Sequence, residues 1–178
     1  MRLYHVSEEP DISVFLPRPP SRSDLDPDVG LVWAIDEARL PNYLTPRDCP
    51  RVAYHVAENT SLADRKRFFS SETASYVVAI EARWLERMRE TMVCLYEFDP
   101  RDFVLQDACA GYYVARTPQI PVAKCEIRDL LGELARRNVE IRIVDQLWDL
   151  ADAVRASTLN WSLCRMRNAQ PRLHPPQP

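Results

Sequence analysis

Apolar residues along this chain come in short bursts separated by charged or proline-bearing turns, a rhythm that predicts a strand-rich fold. Arg2 to Ser7 alternates. Leu31 to Ile35 is a continuous apolar run between Gly30 and Asp36, the pattern of a buried strand, with Asp36 placed to cap a short helix that carries Pro41 and Tyr43. Further strands are predicted at Arg51–Val56, Tyr76–Ile80, Met92–Phe98, Phe103–Leu105, Tyr112–Ala115, Ile120–Cys125 and Val139–Val144. Helical spacing predicts Ser61–Phe69, with Leu62, Arg65 and Phe69 on one face, and Ala82–Arg89 through Leu85 and Met88. It also predicts a helix through Ile127, Leu130, Leu131, Leu134 and Ala135, with Arg136 and Arg137 in the last turn, and another through Leu147, Leu150, Ala151 and Val154. Leu159, Trp161, Leu163 and Met166 are assigned to a last helix packed on the body. Strands and helices mix without a βαβ rhythm, so the expected class is α+β: one domain over residues 1–170 and a disordered, proline-rich tail over 171–178.

Composition narrows the chemistry. Three glycines against fifteen prolines leave no glycine-rich phosphate loop, so a nucleotide site must be built another way. A formal charge of -3 gives no general attraction to nucleic acid. No apolar run reaches the roughly 18 residues of a membrane span, and Met1-Arg2-Leu3-Tyr4-His5 lacks a signal-peptide core, so a cytoplasmic protein is expected. The five cysteines form no CxxC pair, which argues against a disulfide framework or a zinc site, and no metal is indicated. Cys94, Cys125 and Cys164 read as small apolar residues.

His5 in the first strand and Tyr43 after the second offer a hydrogen-bonding ring and a stacking face to a flat polar ligand, although both are equally at home as packing residues. The spacing of Gly30, Trp33, Ala34, Asn42 and Tyr43 adds to this, together with Leu3-Tyr4-His5 and Gly111-Tyr-Tyr-Val-Ala115. These segments resemble the nicotinamide-pocket signature of the ADP-ribosyltransferase superfamily, especially its poly(ADP-ribose) polymerase and RNA phosphotransferase-like branches. The chain is also identified as a member of an uncharacterised bacterial family with the same HVSE, VWAID and PRDCPR segments. The superfamily resemblance implies split antiparallel β-sheets with flanking helices, NAD or a related nucleotide as ligand, His5 on the ribose or amide, Trp33 in the pocket and Tyr43 stacked on nicotinamide. It further implies Arg47 or Arg51 on phosphate. Two departures count against transferase activity. Val6 follows the histidine where the superfamily has glycine, and the catalytic glutamate should fall near Gly111 or Tyr112, neither of which is acidic. Glu97 and Asp107 are the neighbouring substitutes.

Other constellations have plainer readings beside them. Pro46-Arg47-Asp48-Cys49-Pro50-Arg51 is a stiff loop whose guanidiniums could clamp a phosphate, or a rigid turn in which Asp48 pairs with an arginine. Cys49 and His55 would make a thiol nucleophile pair if they meet, giving a hydrolase. Arg18 and Arg22 sit in the proline-rich first loop, as ligand-facing cations or as solvated charge. Arg155, Arg165, Arg167 and Arg172 form an acid-free basic run that suits an anion or simply flanks the last helix. The function classes in play are a nucleotide binder with doubtful transferase activity, a non-catalytic binding or interaction protein, and a Cys49/His55 hydrolase.

Overall fold

A computed structural model describes residues 1–20 and 25–172; Arg22 and the tail residues 173–178 lie outside the described residues. The elements run β1 (Leu3–Ser7), β2 (Val32–Asp36), β3 (Arg51–His55), α1 (Leu62–Phe68), β4 (Tyr76–Glu81), α2 (Leu85–Glu90) and β5 (Val93–Phe98). They continue with β6 (Val104–Asp107), β7 (Tyr112–Ala115), β8 (Ala123–Ile127), α3 (Leu130–Arg136), β9 (Glu140–Val144), α4 (Trp148–Arg155) and β10 (Asn160–Cys164). The class is α+β. The chain divides into two compact units, Met1–Leu44 with Met92–Arg128, and Thr45–Thr91 with Asp129–Pro178.

The first unit holds a six-stranded sheet in the order β6-β7-β2-β1-β5-β8, antiparallel at every pairing. Leu3, Val32, Ala34, Cys94, Tyr96, Phe98 and Ala115 form its core with Phe15 and Phe103. Alternation puts these strand residues on one face, because pairing joins Leu3 to Asp36 and Phe98, and Ala34 to Tyr113. The prolines of the first loop keep residues 9–20 extended across that face. Phe15 exchanges two backbone hydrogen bonds with Gln119, and Arg18 exchanges two with Leu31. The Tyr96 hydroxyl donates to the Glu9 carbonyl at 2.7 Å and accepts the Ile12 amide at 3.2 Å. Gly30 lets this segment close, since a Cβ there would stand 3.0 Å from that of Pro17.

The second unit holds a four-stranded sheet in the order β10-β3-β4-β9, in which the β4–β9 pair is parallel. Val52, Tyr54, Val77 and Ala79 pack with Phe68 of α1 and with Ala151 and Val154 of α4. Sequence chemistry explains the helix starts: Ser61 accepts the Asp64 amide at 3.1 Å and Asp129 accepts the Gly132 amide at 2.8 Å.

Four local expectations change. Leu159–Met166 is not a helix; most of it is β10, paired residue for residue with β3. Leu159, Trp161 and Leu163 are spaced two apart, which is strand periodicity, and the short turn Met166–Asn168 follows. Ile127 closes β8 rather than opening α3, which Asp129 caps. Leu62 points to solvent at 78% exposure, so α1 buries Phe68 instead. Cys125 is exposed rather than a small core residue. Among the described residues no helix is long and apolar enough to cross a membrane.

Candidate functional site

β1 pairs with β2 only at Leu3–Asp36 and Tyr4–Ile35. At the next residue the His5 imidazole bonds the Trp33 carbonyl, Nδ1 to oxygen 3.0 Å. A carbonyl only accepts, so Nδ1 carries the proton. The His5 ring lies on the Leu3 face and packs on Phe15 at 4.8 Å between centroids. Trp33 alternates with Val32 and Ala34, so its ring stands on the opposite face. There it meets Tyr112 edge-on at 5.4 Å, and Tyr112 meets Tyr43 at 6.2 Å with their hydroxyls sharing a hydrogen bond. Two of the three residues expected in one pocket, Trp33 and Tyr43, therefore come together through Tyr112. His5 reaches them only through the Trp33 backbone. All four side chains are partly exposed.

Tyr112 as a ring of this cluster escaped the sequence reading, which gave it a place in the Tyr112–Ala115 strand and expected the glutamate near it or Gly111. Arg39 escaped it too. The Asp36 carboxylate turns the chain after β2 by accepting the Arg39 amide at 2.8 Å, and the Arg39 Nε donates to the Cys109 carbonyl at 3.1 Å. Gly111 lies beneath them with φ +67, its carbonyl accepting the Asp36 amide at 3.0 Å. A Cβ on Gly111 would come within 2.5 Å of Arg39 Cγ and 2.8 Å of Asp36 Oδ2. Of the two positions near which the resemblance calls for glutamate, Gly111 is thus a backbone crossing with no room for a side chain, and Tyr112 carries a ring of the aromatic cluster. Neither substitute carboxylate is placed for catalysis. Glu97 is gripped by Arg2 at 2.8 and 3.0 Å, a hydrogen bond that holds its carboxyl below the usual range. Asp107 accepts the Ala110 amide at 3.0 Å and closes the turn before β7.

The PRDCPR segment belongs to the second unit and is a rigid turn. The Cys49 amide donates to the Pro46 carbonyl at 3.0 Å. From the C-terminal segment Arg165 Nε donates to the Arg47 carbonyl at 3.2 Å and Asn168 Nδ2 to that of Asp48 at 2.8 Å. Asp48 lies 4.0 Å from Arg165. Arg51 is buried and donates to the Cys49 carbonyl at 3.0 Å, whereas the Arg47 side chain is exposed. Arg18 is held by its backbone pairing to Leu31. The basic C-terminal run serves the fold: Arg172 makes a two-pronged pair with Asp152 at 2.7 and 3.0 Å and covers the Trp148 ring at 4.5 Å.

Cys49 and His55 do not form a catalytic pair. Cys49 is fully buried, and burial pushes its thiol up to about 12. His55 ends β3, whose length alone sets the Arg51 and His55 α-carbons about 13 Å apart. Its ring packs on Tyr76 at 5.0 Å and Nδ1 donates to the Val56 carbonyl at 3.3 Å. A thiol reagent at pH 8 should therefore modify Cys109 and Cys125 in the native chain, with Cys49 and Cys94 reacting only after unfolding; rapid native labelling of Cys49 would restore it as a nucleophile. Because the unfolded thiol ionises from 9.0, this group's contribution to stability is lost as pH climbs from 9.0 towards about 12.

Among the described residues no cluster of three or more His, Cys, Asp or Glu is arranged to hold a metal ion. No curated protein and no solved structure matches the chain. A profile does match across residues 4–169, and the chain belongs to the family of unknown function DUF6886.

Proposed function

We propose that the first unit has an ADP-ribosyltransferase-like fold and binds NAD or a related nucleotide on the Trp33–Tyr112–Tyr43 cluster, without transferring ADP-ribose. The observation that carries this reading is the continuous contact of three partly exposed aromatic rings, one of them hydroxyl-bonded to the next. Such a set presents a stacking surface with phenol groups at its edge, the complement of a carboxamide-bearing or purine ring. His5 is a positioning residue that fixes the Trp33 backbone from the other face. Arg39 lies beside Gly111, the residue before Tyr112, and brings a guanidinium suited to phosphate. In this reading it takes the part first given to Arg47 and Arg51, since those belong to the second unit and Arg51 is buried. Transfer is left out because a cationic sugar intermediate needs a carboxylate opposite it, and the Asp36 carboxylate at the Gly111 crossing is engaged by the Arg39 amide in the turn after β2.

Calorimetric titration with NAD, ADP-ribose and nicotinamide tests the reading. Binding by the native chain should weaken about tenfold or more in Tyr112→Ala and Trp33→Leu, the loss of one stacked ring. No nicotinamide should be released on long incubation. The absence of any heat at millimolar ligand would sink the proposal, and release of nicotinamide would replace the binder with an active transferase.

A further inference from the structure

The six-stranded sheet ends at β6 on one side and β8 on the other, and the two edges are built differently. β6 is interrupted by a register shift between Leu105 and Asp107, a bulge that spoils an edge for further pairing. β8 runs against β5 through five unbroken pairs from Val93–Ile127 to Glu97–Ala123. Ala123, Lys124, Cys125 and Glu126 are all exposed, and Val122, which leads into the strand, is 64% exposed. This edge is straight and open.

We propose that β8 is the self-association edge of this protein, pairing antiparallel with β8 of a second copy about a twofold axis at Cys125. A twofold perpendicular to the sheet keeps corresponding faces together, so it allows only registers that differ by two residues. In the register centred on Cys125, Lys124 opposes Glu126 of the second copy on both sides of the axis, and Ala123 opposes Ile127. Shifting one way sets Lys124 against Lys124, and the other sets Glu126 against Glu126. Like charges directly opposed are unfavourable, so charge selects a single register among the three. Within one chain Lys124 and Glu126 lie 3.9 Å apart on the same face; Lys124 Nζ also donates to the Pro10 carbonyl at 2.9 Å and Glu126 pairs with Arg128 at 2.7 Å, exposed contacts that pairing with a second strand would exchange for the crossed ion pairs. The occupant that completes this pattern is a second β8.

Charge reversal tests it on the full chain. Sedimentation at high micromolar concentration should show a dimer for the native protein. Lys124→Glu and Glu126→Lys should each give a monomer, and the double variant carrying both should dimerise again, which separates a broken interface from a broken fold. In a Cys109→Ser background diamide, which takes up the two thiol hydrogens, should link two copies through one Cys125–Cys125 disulfide, and Cys125→Ser should abolish the link. A native chain that stays monomeric overturns the proposal. So does a dimer indifferent to the single reversals, or a swapped variant that remains monomeric.

Discussion

Replacing Gly111 by glutamate, the residue the resemblance puts near Gly111 or Tyr112, is expected to damage the first unit and to leave it without transferase activity. A left-handed φ of +67 costs a side-chain-bearing residue about 1–2 kcal/mol. The new Cβ must also displace Arg39 and Asp36, which lie 2.5 and 2.8 Å from its position. Arg39 can swing outward only by giving up the Cys109 carbonyl, and the added carboxylate would face that of Asp36. Together these effects set the loss at about 3 kcal/mol, roughly a 10 °C drop in Tm for a chain of this size. Gly111→Ala carries the backbone strain and the contact without the charge, and should lose about 2 kcal/mol. Urea unfolding of the two variants measures both losses. A Gly111→Glu protein as stable as the native one, or one that releases nicotinamide from NAD, would show that the crossing yields and that the chemistry was removed by a single substitution.

The second large effect is expected at Glu81, at the end of β4 in the second unit. Its carboxylate is fully buried and accepts the Gln170 amide at 2.8 Å and Arg83 Nε at 2.9 Å. Gln170 in turn accepts the Trp148 indole at 2.7 Å, so Glu81 anchors the segment that ends in the Arg172–Asp152 pair. Arg83 is 43% exposed, and its ion pair adds little net stability once water screens it. The cost of Glu81→Ala comes from the unpaired Gln170 amide and the emptied space, about 3 kcal/mol in all. Glu81→Gln keeps an acceptor for that amide and should lose about half as much. The readout is urea unfolding together with the rate of tryptic cleavage after Arg165 and Arg167, which should rise in Glu81→Ala and change little in Glu81→Gln. Equal behaviour of the two variants would mean that the Gln170 bond is not what holds the segment.

Burial of a charged residue at this depth is not visible in a sequence, where Glu81 is only the polar end of an apolar run. The strand itself was legible, because Tyr76–Ile80 is continuously apolar, and β7 was predicted to the residue from Tyr112–Ala115. The misreading at Leu159–Met166 had a different origin. An amphipathic spacing of two was followed by Met166, which fits a helix as well, and only the pairing of β10 with β3 decides between them.

The candidate site shows the same division. His5 and Tyr43 were legible as residues of interest from their places in the predicted elements, and Trp33 from the family resemblance, but neither says which face of a sheet a ring occupies. That depends on the register between β1, β2 and β7, strands far apart in the chain, and a shift of one residue would exchange the faces. Tyr112 became a partner of Trp33 and Tyr43, and Gly111 was closed to a glutamate, through such long-range pairing. Composition and periodicity sufficed for the α+β class, the absence of a glycine-rich phosphate loop and most of the strands, since those follow from local patterns of apolar and polar residues. The convergence of three aromatic rings, the separation of Cys49 from His55 and the open edge at β8 were decided by the tertiary structure, because each is a relation between segments that no local pattern encodes.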